Sequence, residues 1–294
     1  MRNSRSDERA ATRLSTFTND GLTFDVIDEG PLDGPVIVAL HGFPERADSW
    51  SGVIPILTAA GFRVLAPDQR GYSPGARPKG IRNYTLDKLA GDILALADQA
   101  EVPKFHVLGH DWGAAVAWEL AGQHADRVIT ASILSVPHPR AFLAALPRGQ
   151  ILKSWYMLFF QIPWLPERQT TENGLLVRKL ARDMRLSDAK VQETLELARE
   201  PGAATATINW YRAMRYAKPS GPGQVQIPTL YVWSTDDAAL GRRAAENTAK
   251  YVDGPYRFEV FDGVSHWIAA ERPSETAALV LEHIKAHTNR VAGL

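Results

Sequence analysis

Five short apolar or β-branched runs, at residues 22–28, 36–40, 62–66, 105–109 and 128–135, alternate with helical patterns through the first half of the chain. No other feature constrains the fold as much, because a strand that returns parallel to its neighbour needs a long crossover, usually a helix. Leu86, Leu89, Ala90, Ile93, Leu94 and Ala97 recur at three- and four-residue spacing behind Thr85, a candidate N-cap. They predict an amphipathic helix over residues 86–100 with its apolar face on the sheet. Open α/β sheets bind ligands beyond the carboxyl ends of their strands, so the loops after these runs are where chemistry is expected.

The rhythm changes near Pro137. From there to about Gly223 the patterns are helical, over residues 174–185, 187–199 and 203–217, with Pro166, Pro201, Pro219 and Pro222 as punctuation. Strand patterns resume at residues 229–234 and 256–261, and a last helix is expected at 274–287. The chain has 294 residues. At roughly 150 per domain that is about two domains, or one large α/β domain with an insertion. The expected organisation is a tail over 1–13, a core over 14–136 and 223–294, and a helical cap over 137–222. The tail carries four arginines and two acids with no apolar run, so it reads as a frayed, solvated segment rather than a secretory signal.

Thirty-three basic residues balance thirty-three acidic ones, which leaves no global field for nucleic acid or anionic lipid. The absence of cysteine excludes disulfides, thiolate metal sites and cysteine nucleophiles. The most apolar stretch, 151–165, is too short for a bilayer and contains Lys153, Gln161 and Pro163. With no targeting signal, a cytoplasmic protein is expected, either monomer or homodimer.

The run 105–109 leads directly into Gly109-His110-Asp111-Trp112-Gly113, followed by the helix-forming 114–121. Strand, tight turn and helix have the spacing of the G-x-S-x-G nucleophile elbow, with Asp111 in place of serine. The commoner role of an Asp before a helix is capping, so its partners decide. His266, in Gly263-Val264-Ser265-His266-Trp267, follows the last strand pattern and can reach the elbow as a general base. Asp236 and Asp237 follow the strand before it, and either could orient that imidazole. A rival position, residues 136–147, holds no acid. His41 and His110 are read as loop supports. His283 and His287, four apart, suit a solvated helix face better than a metal site, and no metal or cofactor is assigned.

Four motifs, His-Gly-Phe-Pro-Glu (41–45), Pro-Asp-Gln-Arg-Gly-Tyr-Ser (67–73), Gly-His-Asp-Trp-Gly-Ala (109–114) and Ser-Val-Pro-His-Pro (135–139), together resemble the epoxide hydrolases of the α/β-hydrolase fold. The resemblance covers residues 20–290. It implies a mostly parallel central sheet flanked by helices, with an α-helical cap, or lid, inserted after the sixth core strand. Its spacing selects Asp237 over Asp236, and it implies an oxyanion hole from the N–H groups of Phe43 and Trp112. Segments 154–161 and 209–212 resemble cap segments of the family, each of which contributes a tyrosine to the pocket, here Tyr156 and Tyr211. His41, Pro44, Trp155, Phe159 and Trp267, close to these positions in the chain, are expected in the pocket wall. The family usually reads Arg-Gly-Tyr-Gly-x-Ser, whereas this chain has Arg70-Gly71-Tyr72-Ser73-Pro74-Gly75, a departure expected at the pocket mouth.

What the resemblance implies is conversion of an apolar epoxide and water to a vicinal diol. A serine would open the ring to an inert ether, but a carboxylate forms an ester that water can cleave. Asp111 is then the nucleophile, His266 with Asp237 activates water, and Tyr156 and Tyr211 protonate the epoxide oxygen. The alternatives are a haloalkane dehalogenase-like hydrolase, whose halide leaving group needs no proton, and a non-catalytic small-ligand receptor on the same fold.

Overall fold

The computed structural model describes residues 12–171, 174–218 and 220–288. Eight strands form one sheet in the order β1-β2-β4-β3-β5-β6-β7-β8. They are β1 (Thr16–Asn19), β2 (Leu22–Glu29), β3 (Val36–Leu40), β4 (Arg63–Pro67), β5 (Phe105–His110), β6 (Val128–Leu134), β7 (Thr229–Ser234) and β8 (Tyr256–Phe261). β2 runs antiparallel to both its neighbours, β1 and β4, and β3 through β8 are mutually parallel. Strands β3, β4, β5 and β7 are buried along their whole length, as expected where helices cover both faces.

The period of two decides which helices each strand residue meets. Val36, Val38 and Leu40 join the core with α2 (Leu86–Gln99) and α3 (Trp112–Gln123). Ile37 and Ala39 face α1 (Ile54–Ala59) and α13 (Pro273–Thr288). Thr85 occupies the N-cap position of α2, but its hydroxyl donates to the Arg82 carbonyl and makes no cap bond. His283, expected on a solvated face, is 2 % exposed, with its ring on the Pro228 carbonyl. At the chain start, residues 1–11 of the expected tail lie outside the described residues. Arg13 is not frayed: its guanidinium reaches the Asp28 carboxylate, which also takes Arg63 bidentately.

Between β6 and β7 lie seven helices among the described residues: α4 (Pro139–Ala145), α5 (Gln150–Lys153), α6 (Trp155–Phe159), α7 (Leu165–Thr171), α8 (Leu175–Asp183), α9 (Asp188–Arg199) and α10 (Ala203–Ala213). β7 is followed by α11 (Arg242–Asn247), and α12 (Ile268–Glu271) precedes α13. The helical layer meets the loop after β3 through its rings: Tyr211 of α10 and Phe160, just past α6, both pack edge-on against Phe43. Among the described residues no helix is long and apolar enough to cross a membrane.

Candidate active site

Four loops converge at the carboxyl edge of the sheet, after β3, β5, β7 and β8, because in-register parallel strands end at one level. Asp111 follows β5 with φ 50° and ψ −118°, a conformation that costs a non-glycine residue energy and turns the chain sharply into α3. Its carboxylate makes no capping bond to any described residue of α3. Instead Oδ1 accepts from the Phe43 N–H at 2.8 Å, and Oδ2 lies 3.3 Å from His266 Nε2. Close approach requires glycine after this turn and on the β3 loop facing it: a Cβ on Gly113 would stand 2.1 Å from the Leu40 carbonyl oxygen, and one on Gly42 would stand 2.3 Å from the Asp111 Cβ.

Asp237 and His266 complete the arrangement. His266 Nδ1 donates to Asp237 Oδ2 at 2.8 Å, with both side chains fully buried. Asp237 Oδ1 accepts from the N–H groups of Ala239 and Leu240 at 2.7 and 2.8 Å, so the second oxygen is aimed at the imidazole. Asp236 turns outward and pairs with Arg185 at 2.9 Å. Burial pushes the His266 pKa down, but the charges of Asp237 and Asp111 outweigh it and lift it to about 10. Burial likewise favours protonated Asp111, and His266 overrides it, so the Asp111 pKa lies below its ordinary value.

A cleft opens above Asp111. Its wall includes Phe43, Pro44, Tyr156, Leu180, Met184, Tyr211 and Trp267, with Val177, Ala181, Leu186, Thr170 and Thr194 further out. Of the expected wall residues, Pro44 and Trp267 are there; His41, Trp155 and Phe159 are not. Tyr156 and Phe160 share the inward face of the α6 turn, which carries Trp155 outward, where Lys179 covers its ring. The rings of Tyr156 and Tyr211 are 5.9 Å apart and nearly perpendicular. Burial first, then for Tyr211 the neighbouring Tyr156 and for both the Asp111 charge, hold both phenols well above their ordinary pKa, so both keep their protons. Ser73, from the departing motif, is fully buried, accepting from the Asp25 N–H and donating to the Asp68 carbonyl. It fastens the loop to β2, and Ser73, Pro74 and Gly75 are absent from the described cleft wall.

His41 is buried behind the oxyanion loop. Its Nε2 accepts from the Gln69 N–H and its Nδ1 donates to the Gly42 carbonyl, each at 3.0 Å, which fixes one neutral tautomer. Burial lowers its pKa, and it acts as a loop support. His110 Nε2 donates to the His266 carbonyl at 2.9 Å, with Glu45 3.5 Å from its other nitrogen. Ser135 donates to the same carbonyl at 2.8 Å, and Ser234 donates to the Ser265 carbonyl at 2.7 Å. The sequence assigns neither serine a role; the available cues are that Ser135 opens the 135–139 motif and that both lie at the carboxyl ends of β6 and β7.

A strained elbow, a buried acid and a buried base at this edge of an α/β sheet define a class, the α/β-fold hydrolases. The model of the alpha/beta hydrolase fold family matches residues 35–273, and the chain belongs to that family, among its epoxide hydrolases. It is 38% identical to the AB hydrolase superfamily protein YfhM of Bacillus subtilis, over 92% of this chain and 97% of that one. It is 32% identical to Epoxide hydrolase A of Mycobacterium tuberculosis, over 94% and 98% of the two chains. Among solved structures, an epoxide hydrolase from hot-environment metagenomes superposes with a TM-score of 0.81 at 32% identity, covering 94% of this chain and 98% of that one. Epoxide Hydrolase A from Mycobacterium thermoresistibile gives 0.78 at 26% identity, covering 92% and 97%.

Proposed function

We propose that the protein converts an apolar epoxide and water to a vicinal diol through an ester on Asp111, with residues 137–222 acting as a cap domain over a core of 14–136 and 223–294. The observation that carries this reading is the carboxylate of Asp111, free of its own helix and facing both the His266 imidazole and a cleft with two protonated tyrosines.

In the first step Oδ2 of Asp111 attacks an epoxide carbon, the carbon–oxygen bond of the ring breaks, and Tyr156 or Tyr211 gives its proton to the leaving oxygen. Oδ1, held by the Phe43 N–H, becomes the ester carbonyl oxygen. Esterification removes the Asp111 charge that helps raise the His266 pKa. Burial then has less opposition, and the imidazole sheds its proton, which solvent returns to the tyrosinate left by ring opening, and becomes a base. It takes a proton from water, which adds to the ester carbonyl carbon. The oxyanion forms against the N–H of Phe43, with that of Trp112 as the second donor; collapse breaks the ester carbon–oxygen bond, the imidazolium gives its proton to the leaving diol oxygen, and the proton left on the carboxyl passes back to His266, which regenerates the carboxylate. Asp237 keeps the imidazole oriented and offsets its charge.

The paired phenols favour this reading over halide displacement, which needs no proton donor. A single turnover in heavy-oxygen water tests it: the label should enter the Asp111 carboxylate, and a diol labelled in the first turnover would overturn the ester. Halide release from a bromoalkane, without epoxide turnover, would favour the dehalogenase alternative.

A further inference from the structure

The two catalytic loops are held differently. The His266 loop is fastened mainly by core residues, through Ser135, His110 and Ser234, with one bond to the helical layer, from the Trp267 indole N–H to the Met184 carbonyl at 2.7 Å. The Asp237 loop is held by the core, through the Asp236 N–H on the Val264 carbonyl and the Trp233 indole on the Leu240 carbonyl, and also by the helical layer. Gln150, the first residue of α5, is 4 % exposed and spans that loop with its amide. Its Nε2 donates to the Ala239 carbonyl at 2.7 Å and its Oε1 accepts from the Gly241 N–H at 2.8 Å. The amide pairs with residues 239 and 241 as a neighbouring strand would. The N–H groups of Ala239 and Leu240 bond instead to Asp237 Oδ1. The short segment 239–241 is therefore gripped by both the catalytic carboxylate and Gln150. Ser154 Oγ accepts from the same amide nitrogen at 3.0 Å, and the Lys153 ammonium donates to the Asp237 carbonyl at 2.6 Å.

We infer that Gln150 is a positioning residue that couples seating of the helical layer to the aim of Asp237 at His266. The inference rests on the two-step reading above, because its effect is assigned to the water-consuming step. Ring opening uses Asp111 and the tyrosines and does not depend on the Asp237 loop. Ester hydrolysis needs the imidazole held in one orientation, and a misplacement of even about 1 Å costs up to a hundredfold in such a step.

The test resolves the two steps in single turnovers of a styrene-oxide-type epoxide, with rates expressed per active site. Gln150→Met keeps the volume and removes the amide. It should slow ester hydrolysis by about tenfold or more, with ester formation within about twofold of wild type, so that kcat and KM fall together. A merely structural role would lower the active fraction and leave both rate constants and KM unchanged. Gly241→Ala is the milder second variant: its Cβ would stand 3.2 Å from Gln150 Oε1 and press the amide away from the loop. Its backbone conformation is an ordinary extended one, so it should fold and slow hydrolysis alone, by a smaller factor. If both variants hydrolyse the ester at the wild-type rate, or slow both steps equally, the inference fails. His266→Gln is the control: if it accumulates no ester, the two-step reading itself is wrong, and if it does while Gln150→Met turns over normally, only the role of Gln150 falls.

Discussion

His266 Nε2 and Asp111 Oδ2 stand 3.3 Å apart, and Nε2 is buried with no aligned hydrogen-bond partner among the described residues. The contact is that of an ion pair rather than an aligned hydrogen bond, and the two side chains have separate roles. His266→Gln should stop turnover after ester formation, and intact-mass spectrometry should find the protein heavier by one substrate. Asp111→Asn should show no added mass and lose activity by a factor of at least about a thousand. Normal turnover by the His266 variant would exclude a base role.

Tyr156 and Tyr211 keep their protons because they are buried beside a carboxylate, and each can serve as the donor for ring opening. Replacing either with Phe should slow ester formation by roughly tenfold to a hundredfold, and replacing both by about a thousandfold or more. Hydrolysis of a preformed ester should be unchanged. The single-turnover rise of the ester checks this, and a double variant with wild-type ring opening would remove the phenols from the mechanism.

Asp236 and Asp237 are adjacent but differ in every physical respect: one is paired with Arg185 at the surface, the other is fully buried against His266. Asp237→Asn should lower kcat by about a hundredfold or more, since the imidazole loses its charge partner and its fixed orientation. Asp236→Asn removes an exposed ion pair worth at most about 1 kcal/mol and should leave kcat within twofold. Equal losses at the two positions would contradict this division.

Strands β3, β5 and β7, which position the site, were legible because they are buried on both faces. Val36–Leu40 and Thr229–Ser234 are continuous apolar runs, and the structure makes each of them a strand. β1 escaped because Phe17 is its one buried side chain, too little for a pattern. α1 and α4 are six and seven residues long and open with proline near their first position, so neither shows a helical period. The cleft wall was read least well. Trp155 and Phe159 invite burial by composition, but rotation of one short helix decides which aromatic faces inward. Val177, Leu180, Ala181 and Met184 follow one another at three- and one-residue steps along the inner face of the α8 region, a helix whose partner surface the sequence does not name. Gln150 had no signature at all, since a lone glutamine acquires its role only from the loop it meets.

Buried histidines set the response of stability to pH. Burial lowers the pKa of His106, His138 and His283 to about 4 each, from about 6.5 in the unfolded chain. A lowered folded pKa means that the unfolded state binds protons first as pH falls. The contribution is intact above about 6.5 and is lost progressively toward pH 4, by about 1 to 2 kcal/mol per histidine between pH 7 and 5. His266 has the opposite sign: with its folded pKa raised to about 10, its contribution is complete below 6.5 and is lost as pH rises toward 10. Urea unfolding from pH 4.5 to 10 should therefore show greatest stability close to neutrality, with losses on both sides. His283→Gln should flatten the acid limb by one histidine's share, and His266→Gln should flatten the alkaline limb alone. An acid limb of the same slope with and without His283 would mean that this ring is not held neutral in the folded protein.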